Sequence, residues 1–61
     1  MTNQGRRAIH AGRMAVVAHR FQGMPPPVNP YPRTATKSRP YWDWGAEQAH
    51  RWIDQLMDKA P

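Results

Sequence analysis

Sixty-one residues without a cysteine can build one small domain with a marginal core, and neither a disulfide nor a thiolate-bound metal can staple it. The longest apolar run, residues 14–18, is far short of the roughly 20 residues that span a bilayer, and residues 1–5 lack the apolar segment of a secretory signal; a cytoplasmic location with no membrane partner is expected. The net charge of +5 turns attention to anionic partners.

That charge is unevenly placed. Residues 1–40 carry Arg6, Arg7, Arg13, Arg20, Arg33, Lys37 and Arg39 and no acid, whereas residues 41–61 set Arg51 and Lys59 against Asp43, Glu47, Asp54 and Asp58. One reading is that charge merely keeps a small protein in solution. Forty acid-free residues, nearly all of whose cations are arginines, favour a polyanion, because a guanidinium fork matches phosphate and can stack on bases.

The first predicted element is a helix over about residues 6–22, a stretch free of proline with Gly12 as its one glycine. On a 100° wheel Arg6, His10, Arg13 and Arg20 share one side with Val17, and Ala8, Ala11, Ala15 and Ala18 share the other,. Alanines favour helix and admit a close neighbour, so the alanine side is expected to face a second helix and the arginine stripe to face outward. A solvated arginine face needs no ligand to explain it. Gly23 can end the helix in a left-handed conformation, with Pro25 beyond to stop its resumption,.

A proline-rich linker over about residues 23–38 follows, holding Pro25, Pro26, Pro27, Pro30 and Pro32. Three consecutive prolines bias the chain toward extended polyproline II, and Asn29 and Tyr31, each preceding a proline, are pushed away from helical angles. A fixed corner is expected here rather than a floppy tether.

The second helix is predicted over about residues 39–60. Trp42, Ala46, Ala49, Ile53, Leu56 and Ala60 recur at three- and four-residue steps, with Gly45, Trp52 and Met57 beside them,. Ser38 is the expected N-cap, Pro40 suits the first turn, and Glu47 with Arg51 forms an i,i+4 pair,. Gly45 would cost roughly 1 kcal/mol in a helix interior, so it predicts a close approach by helix one or by the linker, with Trp42 covering the gap. The expected fold class is therefore all-α, two helices joined by a proline-rich linker in a single small domain over residues 1–61.

The order of these features resembles a known family. Ala8, Ala11, Gly12 and Ala15, then Gly23, then the turn Asn29-Pro30-Tyr31-Pro32, then Trp42, Gly45 and Ala49 are similar to the ribosome modulation factor family with its CrpP-like small proteins, whose second helix opens Trp-x-x-Gly-Trp-x-x-Ala. Ala46 stands here in place of the second family tryptophan, and Trp44 and Trp52 occupy positions the pattern does not require. The resemblance covers about residues 6–53. It implies a two-helix protein that binds the small ribosomal subunit, contacts ribosomal RNA near the mRNA exit region and promotes a dormant, dimerised state of the ribosome.

The charge pattern supports an RNA partner on its own, since arginines neutralise phosphates and exposed aromatics stack on unpaired bases. Candidate phosphate contacts are Arg6, Arg13, Arg20, Arg33, Lys37 and Arg39; candidate stacking residues are Tyr31, Tyr41 and Trp44. Tyr31 and Trp42 also suit a clasp between the helices, while Trp44, two residues from Trp42, points off that face. No catalytic residue, metal ligand or cofactor is assigned: His10, His19 and His50 lack ligand spacing, and no glycine-rich phosphate loop occurs,. The alternative class is a phage- or plasmid-type protein-interaction module that binds and inhibits a host protein through its apolar second helix and tryptophans. A core this small favours homo-oligomerisation in either case.

Overall fold

The computed structural model describes residues 3–59, and within them the chain forms two helices, α1 (Asn3–Gln22) and α2 (Ser38–Lys59). The fold class is all-α, as expected. Helix α1 begins three residues ahead of the expected boundary, and the extra turn buries Gly5. Ala60, expected to extend the apolar stripe of α2, lies outside the described residues.

Both helix ends follow from local chemistry. Gly23 takes a φ of 71°, a conformation that disfavours any residue with a Cβ. Beyond it the Met24 amide donates to the Ala18 carbonyl at 3.3 Å, and His19 donates through Nδ1 to the Met24 carbonyl at 2.8 Å. Ser38 does not cap α2. The chain turns earlier, with the Ala35 amide donating to the Pro32 carbonyl at 2.9 Å and the Arg39 amide to the Ala35 carbonyl at 3.0 Å. That single turn precedes α2, and Pro40, the third residue of α2, falls in the helix's own first turn, where a missing amide costs little,.

The buried side of α1 is Gly5, Ala8, Ile9, Gly12 and Val16. The expected alanine row is only partly used: Ala8 is buried, Ala15 and Ala18 are half-buried and Ala11 is exposed. The contact face is therefore rotated by about 100°, one residue's step around the helix. Two effects favour that rotation. It buries Ile9 and Val16, and full burial of such a side chain is worth about 1.5–3 kcal/mol. It also brings Gly12, which has no side chain, to the point of closest approach.

That approach is backbone to backbone. A methyl group on Gly12 would overlap the Trp42 carbonyl oxygen and sit 3.0 Å from the Ala46 nitrogen. A methyl on Gly45 would overlap the Ile9 carbonyl oxygen and sit 2.8 Å from the Ile9 carbonyl carbon. The arrangement is reciprocal: each glycine lies on the carbonyl found one turn before the other glycine. Such spacing allows Cα–H···O contacts that ordinary helix pairs cannot reach. The close approach expected from Gly45 is made by α1.

Helix α2 buries Trp42, Gly45, Ala46, Ala49 and Ile53 along one stripe. Leu56, expected on that stripe, is 49% exposed. Its position explains this. Arg20, near the end of α1, already reaches Asp54, so Leu56 and Met57 lie past the point where α1 stops.

The contacts advance in the same direction on both helices, from Gly12 against Trp42 and Ala46 to Arg20 against His50 and Asp54. The helices therefore run parallel. Residues 23–37 must return the chain by about 25 Å at 1.5 Å per helical residue, well within the ~50 Å that this segment could span when extended. Ala15, Tyr31 and Tyr41 pack against the outside of the core. Among the described residues no helix is long and apolar enough to cross a membrane.

The crossing generates a prediction. Overpacking usually costs about 1–3 kcal/mol, and backbone cannot swing aside, so Gly12→Ala and Gly45→Ala belong at the upper end. A helix propensity gain of about 0.5–1 kcal/mol offsets part of this. Each variant should lose about 2 kcal/mol net, a fall in Tm of roughly 8–16 °C for a chain of this size. Gly23→Ala, with open space around it but a positive φ, should lose about 1 kcal/mol. Thermal melts followed by circular dichroism check the order; equal melting of all three would refute a backbone-limited crossing.

Candidate nucleic-acid interface

The four acids separate first. Asp43, Glu47, Asp54 and Asp58 follow one another on α2 at steps of four and seven, which places them on a single line of the helix. Three have partners within the molecule. Asp43 accepts from Asn29 Nδ2 at 2.9 Å, Glu47 from Arg51 at 2.7 Å, and Asp54 from Arg20 at 2.8 Å. The pair of Arg20 with Asp54 also offsets an acid placed unfavourably for the dipole of α2. Exposed pairs are worth only about 0–1 kcal/mol, so these contacts organise charge more than they hold the fold.

Several expected contact residues are occupied inside the molecule. Arg20 is half-buried, and besides Asp54 its guanidinium approaches His50 Nδ1 at 3.4 Å. Because a guanidinium only donates, His50 Nδ1 can serve there only as acceptor,. Arg39 donates through Nη1 to the Tyr31 carbonyl. Asn29 completes this fastening: its Nδ2 donates at 2.9 Å to the Arg39 carbonyl as well as to Asp43, and its Oδ1 accepts from the Tyr31 amide at 3.0 Å. This Asx turn ties the returning segment to the start of α2. Tyr31 and Tyr41 lie half-buried against the core. Four of the nine expected contact residues thus contribute to the fold, and the exposed ones are Arg6, Arg13, Arg33, Lys37 and Trp44. Trp44 is 44% exposed and Trp42 only 5%, the division expected from their spacing.

The two helices leave a groove on one side of their crossing. His10, Arg13, Met14 and Val17 of α1 face Gln48, Ala49 and Trp52 of α2 across about 430 Å³. No carboxylate lines it. Helical spacing extends both walls. Arg6, His10 and Arg13 succeed one another at steps of four and three on α1, and Trp44, Gln48 and Trp52 at steps of four on α2,. Of these, Arg6 and Trp44 lie beyond the lining, so the groove itself sets His10 and Arg13 with the apolar Met14 and Val17 against a wall whose one aromatic is Trp52. Trp52, 54% exposed, was not among the expected contact residues. In the sequence it follows Trp44 by eight residues on the same row, where helical spacing alone places it beside the apolar stripe,.

Comparison with protein-family models, curated proteins and solved structures returns no match for this chain.

Two substitutions separate fold from surface. Trp42→Ala should lower stability by about 3–5 kcal/mol, the usual cost of emptying a buried aromatic site, and abolish cooperative melting. Trp44→Ala should shift the melt by no more than the ±0.5 kcal/mol of an exposed substitution. Asn29→Ala should cost about 1–3 kcal/mol, because it leaves the Tyr31 amide without its acceptor and removes the bonds that fasten the returning segment to α2,. Urea titrations followed by tryptophan fluorescence and circular dichroism read all three.

Proposed function

We propose that this protein binds RNA in the cytoplasm, docks on ribosomal RNA of the small ribosomal subunit and promotes translational dormancy, the role implied by its resemblance to the ribosome modulation factor family. The observation that supports an RNA partner best is the sorting of charge. Every acid lies on one line of α2 and three of the four are already engaged. Arg6, Arg7, Arg13, Arg33 and Lys37 remain exposed, free to exchange counterions for phosphates.

The family-like residues have structural work of their own. Asn29 and Tyr31 fasten the returning segment, and Gly12 and Gly45 set the crossing. The resemblance thus speaks to architecture, and the ribosomal destination rests on it together with the charge. Binding is carried by side chains the family pattern does not include.

A second reading is a module that binds and inhibits a host protein. It is favoured by the exposure of Phe21, Met24, Leu56 and Met57, an unusual apolar load for so small a surface. The same side chains would serve self-association.

Sedimentation decides between the two. The purified chain should travel with small subunits through a sucrose gradient at low salt. Its affinity should fall roughly 20- to 130-fold between about 50 and 200 mM salt if three to five phosphates are neutralised on single strands. A chain that stays at the top of the gradient at low salt, and is retained instead by one host protein, sinks the ribosomal reading.

A further inference from the structure

We propose that the groove between α1 and α2 is a stacking site for an unpaired base of single-stranded RNA, with Trp52 as the platform and Arg13 and Arg6 holding the neighbouring phosphates. This deepens the RNA reading and rests on it. It also moves the stacking role from Trp44, which does not line the groove, to Trp52, which does.

The lining selects the ligand. Trp52 and Met14 leave about half of their surface in solvent on opposite walls, an apolar slot open to a flat group. Arg13 and His10 stand at the same groove, and no carboxylate opposes them. Gln48 adds a carboxamide, able both to donate to and to accept from a base edge. A volume of about 430 Å³ lies in the range of small-ligand sites, ~300–1,000 Å³. An apolar flat face, anionic neighbours and a hydrogen-bonding edge are together the chemistry of a nucleotide in a single strand. A duplex hides its base faces and offers an exposed tryptophan nothing to stack on.

A second copy of the chain is the main competitor for an exposed aromatic groove. A two-fold interface sets a patch against itself. Here it would place Arg13 near Arg13, with no carboxylate in the lining to compensate. Charge favours the polyanion.

The experiment compares a labelled single-stranded oligoribonucleotide of about ten residues with a blunt duplex of the same sequence, by fluorescence polarisation at low salt with the full chain. At roughly 1–3 kcal/mol per stacked base, wild-type protein should prefer the single strand by about fivefold or more. Trp52→Leu should erase that preference by weakening the single strand alone. Trp52→Phe should restore most of it, and Trp44→Ala should leave it intact, with circular dichroism confirming unchanged helicity throughout. Trp52→Leu acting on both ligands equally, or on neither, overturns the assignment. So does a dimer that this substitution dissociates without changing single-strand affinity. If wild-type protein binds neither RNA, the RNA reading falls as well; if it binds both alike and Trp52 is silent, RNA binding stands on phosphates and only the groove assignment fails.

Discussion

Everything in this molecule is arranged around the place where two helical backbones touch. Gly12 rests on the Trp42 carbonyl and Gly45 on the Ile9 carbonyl, so the helix axes come closer than side chains would allow. The core gains its density there without much volume. Its buried apolar side chains include three alanines, and Ile53 and Val16 are the largest that are fully enclosed. A short chain with no disulfide has few routes to cohesion. Direct backbone contact is one of them, since dispersion falls away steeply with even a small gap.

Close parallel packing creates a connection problem, because the chain leaves α1 at the wrong end to begin α2 beside it. Residues 23–37 solve it by returning over the outside of the pair, with Tyr31 against the core. Asn29 then anchors the return through bonds to Arg39, Asp43 and Tyr31. Basic residues consumed in this fastening are lost to any ligand. The surface left for recognition is therefore smaller than the sequence charge suggests, and concentrated on Arg6, Arg7, Arg13, Arg33 and Lys37.

Sequence periodicity made α2 legible, since Trp42, Ala46, Ala49 and Ile53 keep a strict helical step. It also flagged Gly45 as a contact, because a glycine inside a helix asks for a reason. Helix α1 was legible in extent but not in orientation. Its alanines, isoleucine, valine and glycine surround much of the wheel, so the pattern does not say which side turns inward. That choice belongs to the fit between two glycines far apart in the chain. Arg20 and Arg39 read as free cations for the same reason: their partners Asp54 and the Tyr31 carbonyl are brought to them by tertiary geometry. Hydrophobic spacing assigns Trp52 beside the core, and only the position of α1 shows that it borders a groove.

Parallel direction has an electrical consequence. Helices packed head to tail cancel one another's dipoles, whereas these two add. Both N-terminal ends point the same way, and neither has an acid in its first turn. Arg6 and Arg7 belong to the early part of α1, Lys37 directly precedes α2, and Asp54 and Asp58 lie toward the opposite pole. The aligned backbone dipoles thus polarise the molecule along its long axis, while Arg20 and Lys59 offset the charge of Asp54 and Asp58 at that far pole. At low ionic strength the field of any polyanion would turn such a body before contact, with its two N-termini leading.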